Sequence, residues 1–220
     1  MNNKYKIIDV YNWIRRTTFK YFSTFDNPTY SFNVKIDITN VLSFSKETKT
    51  SFFINFLFLI SKVNNELKSL RLRYVDGEVR LYEKINPTFT VKTEDGSFNN
   101  CFVEYTSVYE EFYKRCVKEI EDNNKETKNP EEYNSTSYDR FYSSCLTTID
   151  IISMTQPLNT RDKNSINVPR IFWDKYIKIG DTYYLTLNIT VSHILVDGEQ
   201  LSEAFNKVRE YASNFKSIIK

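Results

Sequence analysis

Residues 182–211, "TYYLTLNITVSHILVDGEQLSEAFNKVREY", change their hydrophobic period half-way along. Leu185, Leu187, Ile189 and Val191 alternate with Thr186, Asn188, Thr190 and Ser192, which is the two-residue period of a β-strand. From Leu201 the period becomes helical, with Leu201, Phe205, Val208, Ala212 and Phe215 on one stripe. Asp197-Gly198 marks the junction, near which the strand is expected to end, and Asp197 is placed to cap the helix. His193 is the only histidine in the chain, and by parity it continues the apolar face at the strand's end. A neutral imidazole in a dry setting there is suited to accept a proton near pH 7. The turn alone carries little weight, because Asp-Gly recurs at Asp76-Gly77 and Asp95-Gly96.

The same two periods recur toward the N-terminus. "DVYNWIRRTTFKYF" (9–22) sets Trp13, Phe19 and Phe22 among basic residues and predicts a first helix. "TYSFNVKIDIT" (29–39) predicts a strand, and "SFFINFLFLISKVNNELKSL" (51–70) a mostly buried helix with a polar tail. "LRYVDGEVRLYE" (72–83) reads as a hairpin, and "PTFTVKTEDGSF" (87–98) as a strand and a second Asp-Gly turn. Val108, Phe112, Cys116 and Ile120 recur every fourth residue, an amphipathic helix. The polar run 121–139 reads as a solvent loop, with strands resuming at "FYSSCLTTIDII" (141–152). No repeat or composition break divides the chain, so a single α/β domain over 1–220 is expected.

Composition narrows the class. Aromatics at 16% of 220 residues exclude disorder, since such a chain has ample apolar surface to bury. Lys+Arg 30 against Asp+Glu 28 leaves a net charge of +2, which points to neither nucleic acid nor an anionic membrane. Cys101, Cys116 and Cys145 have no metal-ligand or CxxC spacing and read as reduced thiols. The first residues lack a secretory h-region, and the apolar run 52–60 is too short to span a bilayer. A cytoplasmic protein without a metal site is expected.

With His193-x-x-x-Asp197-Gly198 in hand, the chain resembles the chloramphenicol acetyltransferase family of coenzyme-A-dependent O-acyltransferases. "YNWIRRTTFKYF" resembles that family's opening W-x-R-[KR]-x-x-F helix, and "NPTYSFNVKIDIT" (27–39) its first strand. "FLFLISKVNNELKSLRLR" (56–73) is similar to its buried helix and "INPTFTV" (85–91) to its P-x-F-T strand. The resemblance implies a chloramphenicol acetyltransferase-like two-layer α/β sandwich with a mixed sheet. It also implies a homotrimer with active sites between subunits. Acetyl-CoA would be a co-substrate, with no permanently bound cofactor, and a small-molecule hydroxyl the acceptor. His193 matches the family's general base. Asp197 and Arg15 match a pair that supports the site, an arrangement suited to a bidentate, charge-assisted contact. Ser144 matches the serine that donates to the tetrahedral oxyanion, worth roughly 3 kcal/mol of barrier in acyl transfer. Tyr176 matches a tyrosine near the coenzyme's adenine. Antibiotic resistance is the implied biological setting.

The chain departs from the family pattern around the acceptor. Ser192 replaces the first histidine of the family's His-His pair, and Thr147 and Thr148 replace the Pro-Trp that follows the serine. Tyr142 stands where the family has asparagine, and Phe172 where it has a pocket threonine. Arg170 is an added charge; Arg170 and Lys175 are open to two readings, attraction of coenzyme phosphates or plain solvation, and solvation is the commoner fate of such charges. Tyr142 and Phe172 therefore define an altered acceptor pocket, and buried polar partners discriminate substrates strongly. These departures motivate an alternative in which the fold persists in a catalytically altered binding or assembly protein. A dihydrolipoyl acyltransferase core shares the histidine motif and is the third reading.

Overall fold

The computed structural model describes residues 5–128 and 137–219. Strand β1 (Tyr5–Ile7) leads into helix α1 (Arg16–Phe22) and strand β2 (Thr29–Asp37). Helices α2 (Thr39–Thr48) and α3 (Phe52–Glu66) follow, then strands β3 (Leu72–Val75), β4 (Glu78–Tyr82), β5 (Asn86–Lys92) and β6 (Phe98–Phe102). After helix α4 (Tyr109–Asn123) come β7 (Arg140–Cys145), β8 (Arg170–Trp173), β9 (Ile177–Ile179) and β10 (Thr182–Ser192). Helices α5 (Gly198–Ser213) and α6 (Phe215–Ile218) complete the described order.

The main sheet has seven strands, ordered β2-β10-β8-β7-β5-β6, with β9 beside β10. It is mixed: β7 runs parallel to both β5 and β8, and the other pairs are antiparallel. A smaller antiparallel sheet, β1-β4-β3, stands apart. Its β3–β4 turn has positive φ at both Asp76 (51°) and Gly77 (84°), the left-handed backbone that Asp-Gly accommodates in a tight hairpin.

The two faces of the main sheet differ in chemistry. Leu187, Ile189, Ile171, Trp173, Phe141 and Phe89 are buried on one face, against α3 and α5. Phe56 of α3 meets Trp173 edge-on at 5.2 Å, and Phe53 meets Phe89 at 5.3 Å. Burying such a side chain is worth about 1.5–3 kcal/mol, so this face is the main source of stability. The opposite face carries Thr88, Tyr142, Ser144, Arg170, Asn188 and Thr190, aligned across the strands by the pairing register. It is closed partly by segment 146–169: the Ile151 carbonyl accepts from Thr186 Oγ1 at 2.8 Å and the Met154 carbonyl from Asn188 Nδ2 at 3.2 Å. Asn188 is thus fully buried yet hydrogen-bonded, as a buried amide requires.

Four expectations need adjusting. The helix expected over 9–22 begins only at Arg16, because Asp9 accepts from the Tyr11 amide at 2.9 Å and from Asn12 Nδ2 at 2.7 Å. That local turn competes with the first helical turn. The strand holding the 182–192 alternation ends at Ser192, short of Asp197, with turn residues between. Residues 121–123 of the expected loop complete α4, while 129–136 lie outside the described residues. The strand expected over 141–152 covers only Arg140–Cys145; the chain then leaves the sheet until Arg170. Among the described residues no helix is long and apolar enough to cross a membrane.

Candidate active site

His193 follows β10 directly, and its backbone amide donates to the Pro28 carbonyl at 2.8 Å. Its ring lies flat on Phe22 of α1, with centroids 3.9 Å apart and planes 11° apart. Tyr30 of β2 approaches from a second side at 4.6 Å. The Tyr30 hydroxyl donates to the Val196 carbonyl at 3.3 Å, and burial pushes its pKa up to about 12. The imidazole's Nδ1 lies 3.3 Å from Asp197 Oδ1, out of line for a hydrogen bond, and is sealed from water. The side chain as a whole is 30% exposed, so its open edge lies elsewhere on the ring.

Arg15 joins the turn to α1. Its Nε donates to Asp197 Oδ2 at 2.8 Å and its Nη2 to Asp197 Oδ1 at 2.5 Å. Nη1 and Nη2 also reach the carbonyls of Ile194 and His193, at 2.8 and 3.0 Å. One guanidinium therefore grips both the carboxylate and the backbone carrying the imidazole. The hydrogen bond from Arg15 holds the Asp197 pKa below the usual carboxylate range, against the opposing effect of burial. The Asp197 amide donates to Gln200 Oε1 at 2.7 Å, so the first turn of α5 fastens the same junction.

Ser144 stands on β7, on the polar face, with its Oγ 3.3 Å from Thr90 Oγ1 on β5. It pairs with Phe172, which pairs with Asn188 on β10. His193 is five residues beyond Asn188, so two strand spacings and five residues of rise separate Ser144 from His193 by roughly 19 Å. His193 also follows the parity of the helix-covered face, opposite to Ser144. One chain does not bring these two side chains together.

Phe172 is 2% exposed and lies beside Ser144 through the register. Tyr142 receives the Arg170 guanidinium over its ring at 5.3 Å. Tyr176 is 39% exposed and meets Phe52 and Tyr183 edge-on, at 5.6 and 5.9 Å. Of the two readings open for Arg170, plain solvation does not hold: the residue is only 9% exposed, because β8 lies inside the sheet beneath residues 165–168. The rings that clamp His193, and Thr90 beside Ser144, carry no sequence signal as site residues. They lie between 54 and 171 positions from the side chains they touch. The three cysteines are free, and burial pushes the Cys101 and Cys145 thiols up to about 12.

Comparison with known proteins identifies the family. Residues 1–209 match the family described as chloramphenicol acetyltransferase. The chloramphenicol acetyltransferase of Clostridium butyricum is 25% identical over 215 residues, 96% of each chain. Chloramphenicol acetyltransferase 3 of Escherichia coli is 26% identical over 217 residues, covering 96% of this chain and 98% of its own. A solved chloramphenicol acetyltransferase superposes with a TM-score of 0.87 at 27% identity, over 95% of this chain and 100% of that one. The chain belongs to the chloramphenicol acetyltransferase family. Membership supports acetyltransferase activity, with acetyl-CoA as the family's co-substrate.

Proposed function

We propose that this protein moves an acetyl group from acetyl-CoA to a hydroxyl of chloramphenicol or a related small molecule, with His193 as general base. The observation that carries the reading is the fixing of His193. Its ring is stacked on Phe22, its Nδ1 is sealed beside Asp197, and its carbonyl is held by Arg15. With Nδ1 enclosed, Nε2 is the nitrogen that meets substrate. Nε2 takes the acceptor's hydroxyl proton as the oxygen attacks the thioester carbonyl. The Ser144 hydroxyl donates to the resulting oxyanion. The intermediate collapses by breaking the carbon–sulfur bond, and the imidazolium returns its proton to the departing coenzyme A thiolate. No acyl-enzyme forms, and holding both substrates in one site lowers the entropic part of the barrier. Asp197 and Arg15 act as braces, and Tyr176 packs against the coenzyme's adenine.

The roughly 19 Å between His193 and Ser144 within a chain, estimated from strand geometry, favours a site completed by a second copy. A homotrimer in which each cleft takes His193 from one subunit and Ser144 from its neighbour meets that demand. The remaining reading is of one acyltransferase domain over 1–220, cytoplasmic, with no resident cofactor or metal and no nucleic-acid or membrane partner. Resistance to an antibiotic is its setting.

One observation favours a catalytically altered relative instead: the buried Phe172 ring stands beside Ser144 and narrows the acceptor side. Thiol release from acetyl-CoA, with and without chloramphenicol, separates the readings. Release that needs chloramphenicol and vanishes in His193→Ala supports the transferase. Absence of coenzyme A binding by calorimetry leaves the altered relative.

A further inference from the structure

Arg170 sits in the row across the polar face formed by Thr88, Tyr142, Arg170 and Thr190. The next row holds Thr90, Ser144 and Phe172, so Arg170 and Ser144 are diagonal neighbours with backbones roughly 8 Å apart. Arg170 as a whole residue is 9% exposed, and no carboxylate among the described residues lies within ion-pair distance of its guanidinium. Asp162 acts on it through space without a direct ion pair, and Asp162 Oδ1 accepts from the amides of Asn164 and Ser165, at 3.2 and 3.0 Å. Burying a cation without an anion is costly, and natural sites compensate it with a paired charge.

The hydrogen bonds of Arg170 are also one-sided. Nη1 alone donates, to the carbonyls of Ser165 and Val168, at 3.3 and 3.1 Å. Nε and Nη2 donate to nothing among the described residues and are not sealed from water. These two groups point the same way from a planar guanidinium and form the fork that a carboxylate accepts side-on. The Tyr142 ring under the guanidinium fixes its plane. A second unmet polar group lies on the same row, since Thr88 Oγ1 is buried and without a hydrogen bond.

We propose that Arg170 is a specificity-determining residue that binds a carboxylate on the hydroxyl acceptor. The inference rests on the acetyltransferase reading above and narrows the acceptor from neutral chloramphenicol to a small hydroxy acid, whose hydroxyl is presented to the base at the reacting centre near Ser144 while its carboxylate meets Arg170. A neutral acceptor leaves the buried guanidinium uncompensated and binds more weakly.

The test is calorimetric binding of 4-(hydroxymethyl)benzoate, 3-(hydroxymethyl)benzoate and 4-hydroxyphenylacetate, each beside its methyl ester and its amide. Wild-type protein, Arg170→Gln and Arg170→Lys are compared after thermal melting has verified folding. At least one acid is expected to bind about 10- to 100-fold more tightly than its neutral twins, the range for a hydrogen bond to a charged group. Arg170→Gln abolishes that preference, and Arg170→Lys keeps part of it. If Arg170→Gln does not fold, Arg170→Lys and the wild-type comparison decide. No acid preference in any pair overturns the proposal, as does a preference that survives in folded Arg170→Gln. A carboxylate supplied to Arg170 by a neighbouring copy would give the first of these results. Coenzyme A is titrated separately: acid preference without coenzyme binding sinks the acetyltransferase reading and leaves the anion site. Coenzyme binding and turnover without acid preference does the reverse.

Discussion

Arg15 and Asp197 are 182 positions apart in sequence and joined by two parallel N–H···O contacts, at 2.8 and 2.5 Å. The same guanidinium also holds the carbonyls of His193 and Ile194. The pair therefore fixes the position of the imidazole backbone as well as an ion pair. Arg15→Met strands a partly buried carboxylate and frees two carbonyls. It is expected to lower unfolding free energy by about 2–4 kcal/mol in urea titrations. Arg15→Lys keeps the charge without the planar fork and recovers only part of the loss.

The depressed pKa of Asp197 gives this contribution a pH dependence. A carboxylate whose folded pKa lies below its unfolded value of about 3.9 stabilises fully above that value. The contribution disappears as pH falls through the lower, folded pKa. Wild-type protein should lose its stability advantage over Asp197→Asn in the acid limb below about pH 4 and keep it at neutral pH. A constant difference across that range would contradict the linkage.

Flat stacking of Phe22 on His193 at 3.9 Å leaves the ring little rotational freedom. Phe22→Ala removes that wall, and an aromatic pair is worth about 0.5–1.5 kcal/mol beyond its buried area. Turnover should fall roughly three- to tenfold through kcat, while coenzyme A affinity stays unchanged. Phe22→Tyr preserves the stack and should retain most of the rate.

Ser144 is expected to act on the transition state rather than on substrate binding. Ser144→Ala should lower kcat by about 10²–10³ with little change in KM. A loss carried mainly by KM would instead make Ser144 a ground-state binding residue.

Much of this arrangement is legible in the amino-acid sequence. The shift from a two-residue to a helical period around Asp197-Gly198 marks the strand, the turn and the helix at 182–213. Helix α2 is not legible there, because it follows β2 after a single residue and its start depends on Asp37 Oδ1 accepting the Thr39 amide at 2.9 Å. Within "PRIFWDK" the charge of Arg170 suggests a solvated residue. Its burial arises from β8 lying between β7 and β10, a long-range fact that local pattern does not carry. The ring clamp on His193 is silent for the same reason: Phe22 and Tyr30 resemble any of the chain's 17 Phe and 16 Tyr until the fold brings them to the imidazole.

Complementation between two inactive variants tests the shared site most directly. His193→Ala and Ser144→Ala are co-expressed in equal amounts, and acetyl transfer from acetyl-CoA is measured on the mixed protein. If each cleft takes His193 from one copy and Ser144 from the next, random mixing leaves about one cleft in four with both groups. Activity should then rise to about a quarter of wild type, far above either parent. Activity that stays at the level of the parents, with mixed oligomers demonstrated by differential tags, would contradict a site built from His193 and Ser144 of neighbouring subunits.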